Sequence, residues 1–257
     1  MSGVYGCGIS QCHEDSSTQV YFVRTMGEEG SQRLVRGAET TRLDTFVDAA
    51  FAFGSTVLLI SSGDLPSNYE ELLELLRDIP SFVLSFFTLM IFWLSHREWS
   101  RTYGLENRLT IGFTLLLVLT VLVYIYPLKL MYGSLVHVVS GGQLGMTAGL
   151  NTAQRALAMM QLYGAGFTIL SISMLGLFVA TLRATFTPAL TASERQDARI
   201  GCGIWGVLTS VGLLATLCAM LLPPRFAIWS GFLYWLLAPG IPLAIRYLRS
   251  PKRDAVD

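Results

Sequence analysis

Residues 41–62 read TRLDTFVDAAFAFGSTVLLISS, a run apolar enough to enter a bilayer that still carries Arg42, Asp44 and Asp48 in its first two turns. Only 12 uncharged residues follow one another from Ala49 to Ile60. At about 1.5 Å per residue they cover about 18 Å of a ~30 Å hydrocarbon core, too little to cross it alone. Asp48 therefore belongs to the crossing, at its margin or inside the low-dielectric zone. A charge at the centre of a spanning helix costs about 2.5–3.5 kcal/mol on insertion scales, and such groups face protein or water rather than lipid. The stretch predicts a membrane helix whose charged end is held by other protein segments.

The rest of the chain fits that reading. Of 257 residues, 52% are hydrophobic and 14% charged, where a soluble domain has roughly a quarter charged, and the mean hydropathy is +0.51. Six stretches are long and apolar enough to cross, about 42–62, 80–96, 109–132, 156–182, 200–222 and 226–248. No alternation of period two is sustained, so the fold class is an all-α membrane protein with six transmembrane helices. Six crossings put both termini on one side. The tail before and into the first helix, the loop between helices 2 and 3, the loop between helices 4 and 5 and the C-terminus hold 14 of the 18 Lys and Arg. By the positive-inside rule those segments are cytosolic. The chain then divides into a polar cytosolic tail (1–40) rather than a signal peptide, a transmembrane domain (41–249) and a short cytosolic end (250–257).

Composition and motifs also exclude function classes. A formal net charge of zero provides no electrostatic footprint for nucleic acid. Cys7 and Cys12 lie in the tail and Cys202 and Cys218 in the fifth helix, while His13, His96 and His137 are scattered. Neither set has metal-ligand or triad spacing, so no metal, cofactor or enzymatic activity is expected. The glycine-rich segment 141–151 reads as a flexible outer turn. The first outer loop carries Asp64, Glu70, Glu71, Glu74 and Asp78. It reads as a solvated loop with a short amphipathic helix, the alternative being an acidic entrance that concentrates cations.

Helical geometry gives the first helix two further faces. Phe53, Thr56, Val57 and Ile60 follow the i, i+3, i+4, i+7 rule and share one stripe. Asp48, Ala52, Ser55 and Leu59 form a second, with Asp48 about 140° from Phe53. The first stripe either packs on neighbouring helices or lines a pore. The small residues of the second suit close approach by another helix, with Asp48 as acceptor of an interhelical hydrogen bond. The second helix runs the opposite way and brings Trp93 and His96 to the depth of Arg42 and Asp48, and Asn107 opens the third helix at the same level. Indole N–H donates, and imidazole donates or accepts. A polar cluster of Arg42, Asp48, Trp93, His96 and Asn107 is therefore expected to tie the first three helices together. Arg42 turns either to Asp48 or to a neighbouring subunit.

Arg42-x-x-x-Phe46-x-Asp48, then Thr56, Phe82, Ser85-Phe86, Trp93, His96, Asn107 and Tyr126-Pro127, resembles the transmembrane protein 175 family of potassium channels, densely over residues 41 to about 130. The resemblance implies six helices with cytosolic ends, a homotetramer in the bacterial type, and four first helices lining a pore that passes potassium ions. It also implies a constriction made by Phe53, Val57 and Ile60 near a threonine layer at Thr56, in place of a carbonyl filter, and no TVGYG-like segment occurs here. Val47 stands where that family has serine, and Phe53 where it has a smaller aliphatic residue. The expected function is a passive potassium channel in a bacterial cell membrane, without a cofactor. The alternatives are a proton-coupled secondary transporter using Asp48 or His96 and a non-conducting membrane scaffold or sensor.

Overall fold

Each helix begins or ends where the sequence offers a cap. Described residues in this computed structural model are 40–61, 66–145, 152–221, 223 and 231–249. α1 (Arg42–Ile60) starts at a capping box in which the Thr41 side chain accepts from the Asp44 N–H while the Asp44 carboxylate accepts from the Thr41 N–H. α2 (Tyr69–Arg77) is capped by Asn68 and is the short amphipathic helix expected in the first outer loop. α3 (Ile79–Tyr103) follows after the single residue Asp78, with Pro80 in its first turn, where a missing N–H costs little. Gly104 ends it in the left-handed region at φ 54°. α4 (Arg108–Val139) opens on the Asn107–Thr110 capping box, and α5 (Ala153–Arg183) and α6 (Ala192–Leu221) follow. A 3₁₀ turn, Leu233–Leu236, leads into α7 (Leu237–Arg249).

Among the described residues, five helices are long and apolar enough to cross a membrane: α1, α3, α4, α5 from Gln154 and α6. The sixth expected span, 226–248, is described only from residue 231. Its 13-residue helix α7 rises about 20 Å, less than the hydrocarbon thickness. α3 and α4 overrun their expected bounds of 80–96 and 109–132, reaching Tyr103 and Val139. Apolarity marks only the part of a helix that can lie in lipid, whereas the backbone stays helical until a residue such as Gly104 stops it. Most of the N-terminal tail, Asp64, the end of the 141–151 turn and residues 250–257 lie outside the described residues. Gly141, Gly142 and Gly145 have positive φ, and the Gly145 N–H donates to the Arg77 carbonyl at 2.9 Å, so this part of the turn is tied to the end of α2.

The core lies between α3, α4, α5 and α6. Leu117, Val121, Ile125 and Leu128 of α4 pack with Leu170, Met174 and Leu177 of α5, joined by Leu89 and Phe92 of α3 and Trp205 and Leu208 of α6. Gly166 lets α5 approach the Tyr124 ring, since a Cβ there would sit 2.3 Å from a ring carbon. Hydrogen bonds from Trp99 Nε1 to Thr181 Oγ1 (2.9 Å) and between the Thr88 and Tyr132 hydroxyls (2.8 Å) lock α3 to α5 and α4. α1 packs at the edge of this body against α3 and α4, and α7 packs on α6.

One charge assignment changes. Asp78 is not a solvated loop carboxylate: it is buried and pairs with Lys129 Nζ at 3.2 Å, with side chains 2% and 8% exposed. Hydropathy places Asp78 in a polar loop, but the direct α2–α3 junction draws it inward, where only a paired charge is tolerable. Glu71 is also engaged, accepting from the Ser67 N–H and the Asn68 side chain.

Candidate functional site

α1 divides lengthwise into a packed face and an open one. Val47, Phe51, Gly54 and Leu58, spaced 4, 3 and 4 apart, are buried against the α3–α4 body. Gly54 faces α4, where an added Cβ would lie 3.2 Å from Ile125 Cδ1 and in contact with Val121 and Leu122. The smallest residue of α1 thus packs within its own subunit, while Ala52 is exposed. Val47, standing where a hydroxyl was expected, is a core residue at 1% exposure. A serine there would require a hydrogen-bond partner that the valine does not.

The other face carries the expected stripe. Phe53 and Ile60 are 62% and 71% exposed, Thr56 is exposed between them, and Phe46 lies open on the same side. Val57, at the edge of the stripe, is half-buried and packs against the core. The Thr56 hydroxyl donates to the Phe53 carbonyl at 2.7 Å. That bond uses its only proton and leaves the oxygen's lone pairs for an outside partner.

The polar end is held differently from the expected five-residue cluster. Trp93 Nε1 donates to Asp48 Oδ1 at 2.7 Å, joining α1 to α3. The Arg97 guanidinium lies over the Trp93 ring, 5.3 Å from its centroid, where the ring face attracts a cation. His96 is instead buried and turned to α4, its Nε2 3.2 Å from Thr114 Oγ1 and its ring 5.9 Å from that of Trp99. Asn107 serves as the cap of α4, its side chain accepting from the N–H groups of Leu109 and Thr110 at 2.9 Å. An N-terminal helix cap is the stronger use of an asparagine at that position. Arg42 is exposed and makes no ion pair with Asp48.

A second tie between α1 and α3 was not foreseen. The Ser100 hydroxyl donates to Asp44 Oδ1 at 2.6 Å while the other oxygen of that carboxylate closes the capping box. Asp44 and Asp48 are one turn apart, Trp93 and Ser100 two turns apart, and the helices are antiparallel, so the longer indole reaches across the difference. Two carboxylates of α1 thus grip one face of α3 and set the depth and rotation of the helix.

Residues 42–125, covering α1, α2, α3 and much of α4, match the family described as "Endosomal/lysosomal potassium channel TMEM175". A protein of Marivirga tractuosa named "Potassium channel" is 29% identical over 213 residues, spanning 79% of this chain and 85% of the relative. The crystal structure of the potassium channel MtTMEM175, a threonine-to-alanine variant in complex with a nanobody–MBP fusion protein, is similar with a TM-score of 0.75 and 27% identity, covering 84% of this chain and 97% of that one. The helices that build the site lie within the matched segment, and over it the chain is similar to the TMEM175 family of potassium channels.

Proposed function

We propose that this protein is a potassium-selective channel in which four copies surround a central axis lined by α1, conducting passively and without a cofactor. The observation that carries the reading is the two-faced first helix. Val47, Phe51, Gly54 and Leu58 bind it to its own subunit, while Phe53, Thr56 and Ile60 on the far side are left open. The same helix bears exposed Arg42 and Asp48 near one end, a poor composition for contact with lipid and a suitable one for protein or water. With four copies about the axis, Phe53, Val57 and Ile60 form apolar rings that gate by dewetting, and the Thr56 ring offers oxygen lone pairs in place of part of the cation's hydration shell. The Trp93–Asp48 and Ser100–Asp44 bonds act as positioning contacts for that lining. The distribution of Lys and Arg supports cytosolic termini, and the Marivirga relative supports a bacterial cell membrane as the setting.

The test is ion flux from liposomes containing the purified protein. Potassium flux is expected to exceed sodium flux, Phe53→Ala to raise the total, and Thr56→Val to narrow the potassium preference. Absence of flux from both the natural protein and Phe53→Ala, with correct insertion verified by protease protection, overturns the reading.

A further inference from the structure

Between α6 and α7 lies a groove of about 450 Å³ that ion conduction does not use. Its floor is the α6 surface at Gly203, Gly206 and Ser210, and its far wall is formed by Ala244, Tyr247 and Leu248 of α7. The two helices touch beside it, at Gly203 and at Val207. A Cβ at Gly203 would lie 2.3 Å from Leu248 Cδ1, and one at Gly240 would lie 3.0 Å from a Val207 methyl. A Cβ at Gly206 would meet nothing within 4 Å, so the trough is open there. The one hydroxyl on the floor, Ser210, donates to the Gly206 carbonyl at 2.8 Å, leaving an apolar lining. Gln196 Nε2 donates to the Leu248 carbonyl and holds the end of α7 beside the start of α6.

The charges on this face have one sign. Arg195, Arg199, Gly203, Gly206 and Ser210 are spaced 4, 4, 3 and 4 apart and so share one stripe of α6, with both arginines exposed one and two turns before Gly203. Neither arginine has an ion-pair partner among the described residues. The neighbouring carboxylates are elsewhere: Asp197 lies about 160° around the helix from Arg199, and buried Glu194 accepts from the Thr191 N–H at 2.8 Å. Its lining on α6 runs from Cys202 to Val211, nine residue steps or about 14 Å. That matches half of a ~30 Å hydrocarbon core, the depth of one leaflet.

We infer that the α6–α7 groove binds an anionic glycerophospholipid of the arginine-side leaflet, its phosphate on Arg195 and Arg199 and an acyl chain along Gly203, Gly206 and Ser210. A basic mouth between membrane helices selects acidic headgroups, and the apolar trough adds chain burial that a free phosphate lacks.

The experiment is native mass spectrometry of the full-length protein in mild detergent, titrated with phosphatidylglycerol or phosphatidylcholine of the same acyl chains. Its readout is independent of flux. The natural protein is expected to retain phosphatidylglycerol about tenfold better, since two guanidiniums contact the anionic headgroup. The Arg195→Gln/Arg199→Gln double variant, altered only at exposed positions, is expected to retain the two lipids equally, and Gly206→Leu to lose both. Equal retention of the two lipids by the natural protein, or undiminished phosphatidylglycerol binding by Gly206→Leu, overturns the inference. So does loss of the oligomer in Gly206→Leu without any lipid dependence, which would assign the groove to a second copy of the chain.

Discussion

Replacing Lys129 by methionine strands the Asp78 carboxylate, and the structure sets the scale of the damage. The ion pair is 3.2 Å long, and its side chains are 8% and 2% exposed, so water can rescue neither partner. At an effective dielectric near 20 the attraction is about 5 kcal/mol. Desolvation opposes it with several kcal/mol per ion, so the net worth of the intact pair is small. Losing one partner removes the attraction and keeps the other ion's desolvation, a cost of about 3–5 kcal/mol. At about 2–4 °C per kcal/mol for a chain of this size, the midpoint should fall on the order of 10 °C. Asp78→Leu in the same background removes the stranded charge and should restore most of that loss. The assay is thermal unfolding in mild detergent, followed by tryptophan fluorescence, of the natural protein, both single variants and the double. A Lys129→Met midpoint within about 2 °C of the natural one, or a double variant no more stable than the single, refutes the reasoning.

Two further outcomes follow from the contacts of α1. Trp93→Phe removes the indole donor to Asp48 and should lower stability by about 0.5–1 kcal/mol, because the bond is charge-assisted but solvent-exposed. The same melting assay should then show little additional loss when Asp48→Asn is combined with it, since the two groups act through one bond. Gly54→Val brings new methyls against Ile125 and Leu122 and should cost about 1–3 kcal/mol by overpacking. A chemical crosslink between α1 and α4 that is lost in this variant and kept in Gly54→Ala would report the displacement.

How much of this could be read from the chain depends on the range of each signal. The exposed stripe at Phe53, Thr56 and Ile60 and the donor–acceptor match of Trp93 with Asp48 were legible, because one follows from helical spacing and the other from depth and chemistry. The partners of His96 and Asn107 were not. His96 shares its depth with Asp48, yet the rotation of α3 turns it to Thr114, and Asn107 is consumed by its own helix cap. Asp78 looked like a loop charge, because nothing near it in sequence announces Lys129, 51 positions away.

The amino-acid sequence alone determined the membrane class, five of the six expected spans and the amphipathic division of the first helix. Each is a property of neighbouring residues: transfer free energy summed over a turn or a span, and a 100° step that repeats along the backbone. Tertiary structure decided which residues meet. The packing of Gly54 on α4, the grip of Asp44 on Ser100, the buried Asp78–Lys129 pair and the groove beside α7 all depend on how each helix is turned and seated against the others. Turning a helix about its axis exchanges its partners while leaving its hydropathy unchanged, so local pattern cannot encode that choice.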